Sequence, residues 1–428
     1  MDLIGALAWL DEHINLEARA GRIEGLSLER MQRLVEVLGD PQHAYPVIHL
    51  TGTNGKGSTA RLISAVLAES GLSVGTYTSP HLERINERMA RNSDPVDDDT
   101  LAELLSDIAA VEPATGVHPS YFEIVTAAAF RWFADVAVDV AVVEVGLLGR
   151  FDATNVADGA VAVVTNIGRD HSNFEGDWRR AVAAEKAGII KPGSTLVLGE
   201  DDYDLRPVFL AEHPVATAVR NEDFACERNE LAVGGRLLDL RTPSGVLDEV
   251  FLPLHGAHQG DNAALAITAA EAFFARPLDR SLVVDALATV TMPGRFEIVS
   301  RQPLVVLDGA HNADGAAAAI ATLDDDFAVD GRRVIVVGAL SPRDPTELLE
   351  ALAVDGDTLV VACEPPSPRA HRAAVVAAAA EALGAIAVAV PEVATAVDRA
   401  LAIAGPDDAV LITGSLYVVG PARTHLLS

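Results

Sequence analysis

Two nearly continuous apolar runs, at residues 138–145 and 160–165, constrain the fold of this chain more than any other feature of its sequence. Both are rich in valine, as is typical of strands that are buried on both faces of a parallel sheet. Each run ends in charged or polar residues, Glu144 in the first and residues 166–171 in the second. Open α/β sheets bind ligands at the carboxyl ends of their strands, so these polar residues are predicted to face a binding crevice.

A second α/β series begins after Met292-Pro-Gly-Arg295. Its predicted strands lie at residues 304–307, 334–337, 359–362, 385–390 and 409–412, with alanine-rich helical segments between them. This alternation predicts a parallel, doubly wound sheet. We therefore predict an α/β protein of two domains, residues 1–292 around a mostly parallel sheet and a smaller doubly wound domain at residues 293–428.

The rest of the first domain is predicted to be mixed. Apolar residues at helical spacing indicate helices within residues 1–40 and at 58–70, 122–137 and 258–275. Short strands are predicted at 47–50 and 74–77, and a β-rich irregular stretch at 215–255. Residues 91–99 are polar and acidic and contain a proline, which predicts an exposed loop.

Charge excludes several classes of partner. The chain carries 62 acidic against 32 basic side chains, a formal net charge of −30 at pH 7. Such a surface repels polyanions, so no nucleic-acid or anionic-membrane partner is expected. Adaptation to a saline host would explain the same acidity. A polyanionic ligand would need a locally basic or magnesium-rich site.

The remaining composition indicates a cytoplasmic protein. Cys226 and Cys363 are the only cysteines and lack metal-ligand spacing, as expected of reduced thiols. The first residues lack the basic region of a signal peptide. No uncharged apolar run approaches the roughly 20 residues that a membrane span requires.

Lysine occurs only at Lys56, Lys186 and Lys191, whereas arginine supplies the other 29 basic side chains. A retained lysine is a candidate for chemistry that a guanidinium cannot perform, because lysine is a compact charge that can lose its proton. Lys191 lies in a Lys-Pro-Gly turn, where chance retention is the simpler explanation. Lys56 and Lys186 lie in motif-like segments and are predicted to be functional.

Lys56 belongs to a glycine-rich turn, Thr51-Gly-Thr-Asn-Gly-Lys-Gly-Ser-Thr59, that follows a predicted strand and opens a predicted helix. In this context glycines let backbone N–H groups converge on phosphate oxygens at a helix N-terminus. The spacing is tighter than that of the usual phosphate loop. The predicted ATP-binding residues of the turn are Thr53, Asn54, Gly55, Lys56, Gly57 and Ser58.

An ordered set of motifs from about residue 26 to residue 420 resembles the folylpolyglutamate synthase/dihydrofolate synthase family, relatives of the Mur ligases. After the glycine turn the matching segments begin at Tyr77-Thr-Ser-Pro-His81, Glu144-Val-Gly, Asp170-His171, Glu185-Lys186, His258-Gln259, Gly294-Arg295, Asp308-Gly-Ala-His-Asn312 and Thr413-Gly-Ser415. Each segment alone is weak, but their common order is specific. The resemblance implies a phosphate-loop ATPase domain followed by a ligase domain.

The resemblance implies two Mg²⁺ ions held by Ser58, Ser79, Glu144 and His171. Hydroxyl and carboxylate oxygens suit Mg²⁺, whereas histidine is an unusual ligand, and a satisfied polar histidine is the alternative. The resemblance also implies that Lys186 is carbamylated by CO₂. An exposed helical lysine paired with a nearby carboxylate is the alternative there.

Further site residues come from the same resemblance. Asn262, Arg295 and Asp308 match nucleotide-binding positions, and His311 matches a position near the incoming glutamate, so Lys56, Lys186 and His311 are the expected catalytic residues. A turn stabilised by Asp and Asn is the alternative around Asp308. The expected pterin-site residues are Tyr121, Phe122, Glu123, Arg150, Asp152 and Ala153, with ordinary packing at a helix start as the alternative for the aromatic pair.

The implied activity is an ATP-dependent ligase that adds L-glutamate to dihydropteroate, to a folate, or to both, through an acyl phosphate. ATP is then a co-substrate, Mg²⁺ the cofactor, and a monomer is expected. Two departures from the family put the substrate shape in doubt: Leu148 stands where a glycine is usual, and Ser341-Pro-Arg-Asp344 replaces Asp-Lys-Asp. The alternatives are a folate ligase with one activity, another Mur-like ligase, and a nucleotide-binding relative without catalysis.

Overall fold

The computed structural model describes residues 1–15, 27–169 and 176–428. In the first part of the chain the elements are α1 (Leu3–Asp11), α2 (Glu29–Val37), β1 (Val47–Thr51), α3 (Lys56–Glu69), β2 (Val74–Tyr77), β3 (Met89–Arg91), β4 (Asp94–Pro95), α4 (Asp98–Thr115), α5 (Tyr121–Asp135), β5 (Val140–Glu144), β6 (Gly159–Val164), α6 (Trp178–Ala187), β7 (Thr195–Leu198), α7 (Arg206–Leu210), β8 (Ala216–Val219), β9 (Ala225–Ala232), β10 (Gly235–Thr242), β11 (Gly245–Leu252), α8 (His258–Phe274) and α9 (Arg280–Ala288).

The second part contains β12 (Glu297–Arg301), β13 (Leu304–Leu307), α10 (Ala313–Asp326), β14 (Arg333–Val337), α11 (Pro345–Ala351), β15 (Leu359–Ala362), α12 (Ala373–Ala382), β16 (Ile386–Ala389), α13 (Val393–Ile403), β17 (Ala409–Thr413) and α14 (Leu416–Leu427). Short 3-10 turns lie at Pro41–His43, Ile85–Arg88 and Ala153–Val156.

The first sheet has eight strands in the order β4-β3-β2-β5-β1-β6-β7-β8. Strands β2, β5, β1, β6, β7 and β8 run parallel, and the β3–β4 hairpin is antiparallel at one edge. The two valine-rich runs thus form β5 and β6, on either side of β1. The carboxyl ends of these three central strands meet at one edge of the sheet, where the glycine turn also lies.

Side chains of β1 alternate between two cores, as the two-residue period of a strand requires. Ile48 and Leu50 pack in the core that contains α3 and α8, whereas Val47 packs on the opposite face with α5. All five residues of β1 are buried. Burial on both faces explains why β5 is a short run of apolar residues up to Glu144, and why even His49 and Thr51 of β1 are buried.

The expectation of a loop at residues 91–99 was wrong, because β3 and β4 form a hairpin there. Its two-residue turn, Asn92-Ser93, has positive φ at both positions, 48° and 71°. That backbone matches the twist of the flanking strands in a tight hairpin. The stretch is nevertheless mostly exposed, as its polar composition indicated.

The β-rich stretch is a separate three-stranded antiparallel sheet in the order β11-β10-β9. Its apolar face, with Leu238 and Val250, joins the core that contains α8. The sheet therefore covers the helix that lies beside the glycine turn.

The second large sheet has the order β12-β13-β17-β14-β15-β16 and is parallel except for β12. Helices cover both faces and form two cores, one with α10, α11 and α12 and the other with α13 and α14. The architecture is the α/β arrangement with mostly parallel sheets that the sequence predicted. Strand β12 was not predicted.

The two sheet units contact each other directly. Arg423 on α14 donates to Glu83 at 2.7 Å and to Glu297 at 2.9 Å, and so joins the loop after β2 to the second unit. On another side, the buried carboxylate of Asp326 on α10 pairs with Arg236 of the small sheet and accepts the Gly256 N–H at 2.9 Å. None of the helices in the described ranges is long and apolar enough to cross a membrane.

Candidate active site

The glycine turn leaves β1 and begins α3 at Lys56. Gly55 precedes the helix with φ of 82°, and a Cβ atom there would lie 2.6 Å from Oδ1 of Asn262. Gly52 has φ of 149°, and a Cβ atom there would collide with the Thr165 side chain. Glycine is required at both positions because of backbone conformation and close approach. The turn therefore presents backbone N–H groups at a helix N-terminus, a geometry that binds phosphate.

Residues after β6 hold the turn in place. Asn54 donates its backbone N–H to Asn166 Oδ1 at 3.0 Å, and its carbonyl accepts from Thr165 Oγ1 at 2.6 Å. Thr53 exchanges hydrogen bonds with Gly168 at 2.9 and 3.1 Å. The end of one buried strand thus braces the loop that follows its neighbour.

Both motif lysines converge on one atom of this turn. Lys186 Nζ donates to the carbonyl oxygen of Gly52 at 2.6 Å, and Lys56 Nζ donates to the same oxygen at 3.1 Å. Lys186 is buried, with 4% of its surface exposed, so it is not the exposed helical lysine of the alternative interpretation. Lys191 instead donates to the Asn155 carbonyl at 3.2 Å, away from this point.

Glu144, at the end of β5, lies against the same turn. A Cβ atom on Gly57 would be 3.4 Å from Glu144 Oε2, and the Ser79 N–H donates to that oxygen at 3.2 Å. Burial raises the pKa of Glu144, and Lys56, the Ser79 N–H, Arg295 and Arg61 oppose this rise.

The residues in place fit a hard cation. Within the described residues, the Glu144 carboxylate accepts one hydrogen bond, from the Ser79 N–H. The remaining lone pairs of this buried carboxylate are therefore available to a metal ion. Ser58, which follows Gly57 in the first turn of α3, is buried and carries a hydroxyl oxygen. Oxygen donors of this kind suit Mg²⁺. His171, the fourth predicted ligand, lies outside the described residues.

The predicted nucleotide residues surround the turn from two sides. Asn262 on α8 approaches Gly55 and accepts from Thr59 Oγ1 at 3.5 Å. Asp308 follows β13 and accepts the N–H groups of Phe296 and Ala310 at 2.9 and 2.8 Å. Burial raises the pKa of Asp308, and Arg295 beside it opposes the rise. Arg295 opposes the rise in the pKa of both Asp308 and Glu144, so its guanidinium lies within electrostatic range of both strand ends.

His311 and Asn312 close the site from the second unit. His311 Nδ1 lies 3.0 Å from the Gly309 carbonyl. Asn312 caps α10, accepting the Gly315 N–H at 2.8 Å, and its Nδ2 donates to Asn54 Oδ1 at 2.9 Å. The reverse bond, from Asn54 Nδ2 to Asn312 Oδ1, is 3.4 Å long. The phosphate turn is therefore bonded to the N-cap residue of α10, a helix of the second unit.

The predicted pterin residues fall into two groups. Phe122 packs directly over Gly146, where a Cβ atom would collide with its ring, and its centroid lies 6.1 Å from that of Tyr77. Tyr121 is buried with the Arg88 guanidinium 5.7 Å from its ring centroid. Glu123 forms a capping box with Ser120 and pairs with Arg30 at 3.0 Å. The two aromatic residues begin α5 beside the end of β5, whereas the Glu123 carboxylate is already bonded to Ser120 and Arg30.

Arg150, Asp152 and Ala153 lie together after Glu144 but bond to their own surroundings. Arg150 pairs with Glu212 and donates to the Ala184 carbonyl at 3.0 Å. Asp152 accepts the Leu147 N–H at 2.8 Å and caps the 3-10 turn that Ala153 begins. Burial raises the pKa of Asp152. These contacts shape the loop that carries the residues after Glu144.

The two departures have local structural explanations. Leu148 adopts the left-handed conformation of a glycine, with φ of 59°, and its carbonyl accepts from Thr51 Oγ1 at 2.5 Å. Asp344 caps α11, accepting the Thr346 N–H at 2.8 Å.

Several residues of the site had no predicted role. Asn166 and Thr165 brace the turn, and Asn312 joins the units. Their place directly after buried strands was the available signal, but a sequence does not say which of these side chains bond to each other.

Comparisons with known proteins agree with this geometry. The Mur ligase middle domain matches residues 50–270, and the Mur ligase glutamate ligase domain matches residues 294–416. The dihydrofolate synthase/folylpolyglutamate synthase of Mycobacterium tuberculosis is 41% identical over 372 residues, which cover 80% of this chain and 75% of that protein. Its counterpart in Bacillus subtilis is 35% identical, over 81% of this chain and 82% of that protein.

A solved structure of Mycobacterium tuberculosis folylpolyglutamate synthase complexed with ADP superposes with a TM-score of 0.90 at 35% identity, covering 99% of this chain and 98% of that one.

Proposed function

The chain belongs to the dihydrofolate synthase/folylpolyglutamate synthase family of Mur ligases, and we propose that it is an ATP-dependent ligase that joins L-glutamate to dihydropteroate, to a tetrahydrofolate, or to both. The observation that carries the proposal is the convergence of Lys56 and Lys186 on the Gly52 carbonyl beside the buried Glu144. A phosphate-binding turn, a lysine in that turn and a buried carboxylate able to hold Mg²⁺ are groups that phosphoryl transfer uses. The named relatives support the choice of substrate.

We assign residues 1–292 to ATP binding and residues 293–428 to glutamate ligation. The backbone of Thr53, Asn54 and Gly55 would hold phosphate oxygens, with Lys56 offsetting their charge. Asn262, Arg295 and Asp308 would position the nucleotide from both sides of the turn. Support comes from the close approach of Asn262 to Gly55 and from the electrostatic interaction between Arg295 and Asp308.

The reaction proceeds in two steps. The carboxylate of the pterin substrate attacks the γ-phosphorus of ATP, forming an acyl phosphate and releasing ADP. The α-amine of glutamate then attacks the acyl carbon, forming the amide and releasing phosphate, while the amine loses its proton. His311, at the second unit's face of the site, is placed to contact the incoming amino acid. Contact between the two units would exclude water, which otherwise hydrolyses the acyl phosphate.

Mg²⁺ bound by Ser58, Ser79 and Glu144, with His171, would neutralise charge on the transferring phosphoryl group. Glu144 is suited to this role because its buried carboxylate retains free lone pairs. The proposal also includes a monomer in the cytoplasm. Tyr121 and Phe122 would form a wall for the pterin ring, and Glu123, Arg150, Asp152 and Ala153 would position that wall.

The direct test is ADP release by the purified protein with ATP, Mg²⁺ and glutamate, in the presence of dihydropteroate, of tetrahydrofolate, or of neither. Turnover with both pterins supports a bifunctional enzyme, and turnover with one assigns the narrower ligase.

Lys56→Ala should reduce turnover by about 100-fold or more, as is usual for loss of a group that stabilises transition-state charge. Lys191→Ala is the matched control and should keep wild-type turnover. ATP hydrolysis without any pterin dependence would contradict the proposal and favour a nucleotide-binding relative.

We further propose that Lys186 is carbamylated. Two ammonium groups that share one carbonyl repel each other, and conversion of the Lys186 amine to an anionic carbamate would replace this repulsion with attraction. Lys186→Ala should lose most activity, and a short carboxylic acid in the buffer should restore part of it. A ¹³C signal from labelled bicarbonate should appear in the wild type and in Lys191→Ala but not in Lys186→Ala. Full activity of Lys186→Ala, or an unchanged signal, would reject the carbamate.

A further inference from the structure

A cavity of about 250 Å³ lies between the two units, next to the candidate active site. Its lining includes Arg61, Thr78, Leu82, Glu83, Pro293 and Arg423. Thr78 directly precedes Ser79, and Pro293 directly precedes the Gly294-Arg295 segment. The cavity therefore adjoins Ser79 on one side and the junction of the units on the other.

Arg61 connects this cavity to the reaction centre. It lies on α3 one turn after Gly57 and Ser58, and residues three and four apart share a face of a helix. On that face, a Cβ atom at Gly57 would be 3.4 Å from the Glu144 carboxylate. Arg61, Arg295 and Glu144 interact electrostatically with one another, which places the guanidinium close to the proposed metal site.

The other charges of the cavity are already paired. Arg423 bonds to Glu83 at 2.7 Å and to Glu297 at 2.9 Å. Glu87 accepts three backbone N–H groups, from Leu82, Glu83 and Arg84, at 2.9 to 3.1 Å. In contrast, no group in residues 1–15, 27–169 or 176–428 bonds to the Arg61 guanidinium. Among the charges that line the cavity, this one is left for a ligand.

The surroundings favour an anionic ligand at Arg61. Although the side chain contacts solvent in the open cavity, the surrounding protein lowers the pKa of its guanidinium, with Arg295 adding to the effect and Glu87 and Glu144 opposing it. A guanidinium presents parallel N–H groups that match the two oxygens of a carboxylate. The phosphates of ATP are served by the glycine turn and Lys56, one helical turn earlier.

The acid substrates of the proposed reaction differ in one group. A tetrahydrofolate ends in a glutamate with two carboxylates, of which one is phosphorylated and the other does not react. Dihydropteroate ends in a single carboxylate, which is the one that reacts. We propose that Arg61 binds the non-reacting carboxylate of the terminal glutamate of a folate, with the cavity as the site for that end of the substrate. This inference rests on the proposed ligase function.

The inference predicts a difference between two substrates of one protein. Arg61→Ala should raise the KM for tetrahydrofolate by about 10- to 100-fold, the range expected for loss of a charge-assisted hydrogen bond. The KM for dihydropteroate, the KM for ATP and the thermal midpoint should stay within about 2-fold or 2 °C of wild type. Arg61→Lys should give an intermediate KM for tetrahydrofolate, since it keeps the charge but not the paired donors.

The experiment uses the full chain with Arg399→Ala as the control, because Arg399 is an exposed arginine on α13 that does not line the cavity. An equal rise in KM for both pterins would place Arg61 on the reacting carboxylate and overturn the inference, as would a rise in the KM for ATP or an unchanged KM for tetrahydrofolate. If the wild-type protein turns over dihydropteroate but not tetrahydrofolate, the inference is overturned while the ligase function stands. Absence of any pterin-dependent turnover in the wild type would instead remove the proposed function, and the inference with it.

Discussion

Leu148 is held in a left-handed backbone conformation just after β5, the strand that carries Glu144. A leucine in this conformation costs about 1–2 kcal/mol relative to the right-handed region, and its carbonyl is fixed by Thr51. Backbone strain of this kind persists where surrounding contacts determine the conformation.

Replacement by glycine should relieve the strain at residue 148. We expect the urea midpoint of Leu148→Gly to equal or exceed that of wild type. This corresponds to an increase in the free energy of unfolding of between zero and about 1 kcal/mol. Leu147→Gly, at the adjacent position without a positive φ, should instead destabilise by about 1 kcal/mol. The prediction is wrong if both variants lose stability equally.

His49 on β1 is fully buried and bonds to Thr154 Oγ1 at 2.9 Å. Burial, with Lys191 as a second cause, lowers the pKa of His49 to about 3. The folded protein therefore keeps His49 neutral, whereas the unfolded chain takes up a proton near pH 6.5. Stability from this residue is present above that pH and is lost as the pH falls.

Between pH 7 and pH 5 the loss from His49 should reach about 2 kcal/mol. We expect His49→Gln to show a smaller drop in denaturation midpoint over this range than wild type. His213→Gln, which changes an exposed histidine, should follow wild type. If the denaturation midpoints of wild type and His49→Gln fall equally between pH 7 and pH 5, protonation of His49 is not the cause of the loss of stability at acidic pH.

At the scale of elements, the start of α5 illustrates how one side chain can be read in two ways. Glu123 closes a capping box with Ser120, which satisfies N–H groups at the helix start. Its buried carboxylate also pairs with Arg30 of α2, so it fixes α5 against the helical N-terminal layer. Its neighbour Phe122 faces Gly146 at the end of β5. Adjacent residues at the start of α5 thus contact different parts of the protein.

Glu123→Gln should therefore reduce stability and leave pterin binding unchanged. Glutamine can keep the capping bond but not the ion pair, and we expect a loss of about 1 kcal/mol, since Arg30 is partly exposed. The KM for the pterin substrate should change less than 2-fold. Glu103→Gln on the exposed face of α4 is the control. A raised KM with unchanged stability would assign Glu123 to the substrate.

At the scale of the whole molecule, the Asn54–Asn312 pair links the two units at the reaction centre. The pair joins residues 258 positions apart in sequence, and each member has other bonds in its own unit. The pair is therefore a direct connection between α10 and the phosphate turn. This arrangement would couple nucleotide binding to the position of His311, which lies one residue before Asn312.

A double-mutant cycle measures this coupling. Asn312→Ser keeps a side chain able to cap α10 but is too short to bond to Asn54, whereas Asn54→Ala removes the partner. We expect each variant to lower kcat about 3- to 10-fold and the double variant to lower it little further, a coupling of about 0.5–1.5 kcal/mol. Fully additive effects would show that the amide pair does not link the units during catalysis.

Much of the fold followed from local pattern. The predicted strands at 74–77, 304–307 and 359–362 coincide with β2, β13 and β15. For β13 and β15 the reason is that continuous valine-rich runs are stable chiefly as strands with both faces covered. The prediction failed at the β3–β4 hairpin, where the side chains of residues 91–95 are exposed at the edge of the sheet. Edge strands lack the apolar signal that identifies central ones.

Local residue patterns were enough to predict the α/β class, the glycine turn and the family, since strand burial, glycine-rich turns and ordered motifs are properties of short segments. Three features instead depend on the tertiary structure: Lys56 and Lys186 share the Gly52 carbonyl, Asn54 bonds to Asn312, and Arg61 faces a cavity. The Lys186 bond spans 134 residues and the Asn54 bond 258. Contacts over such separations depend on how strands are ordered in the sheets and how the units dock, and residue patterns within a segment do not encode either one directly.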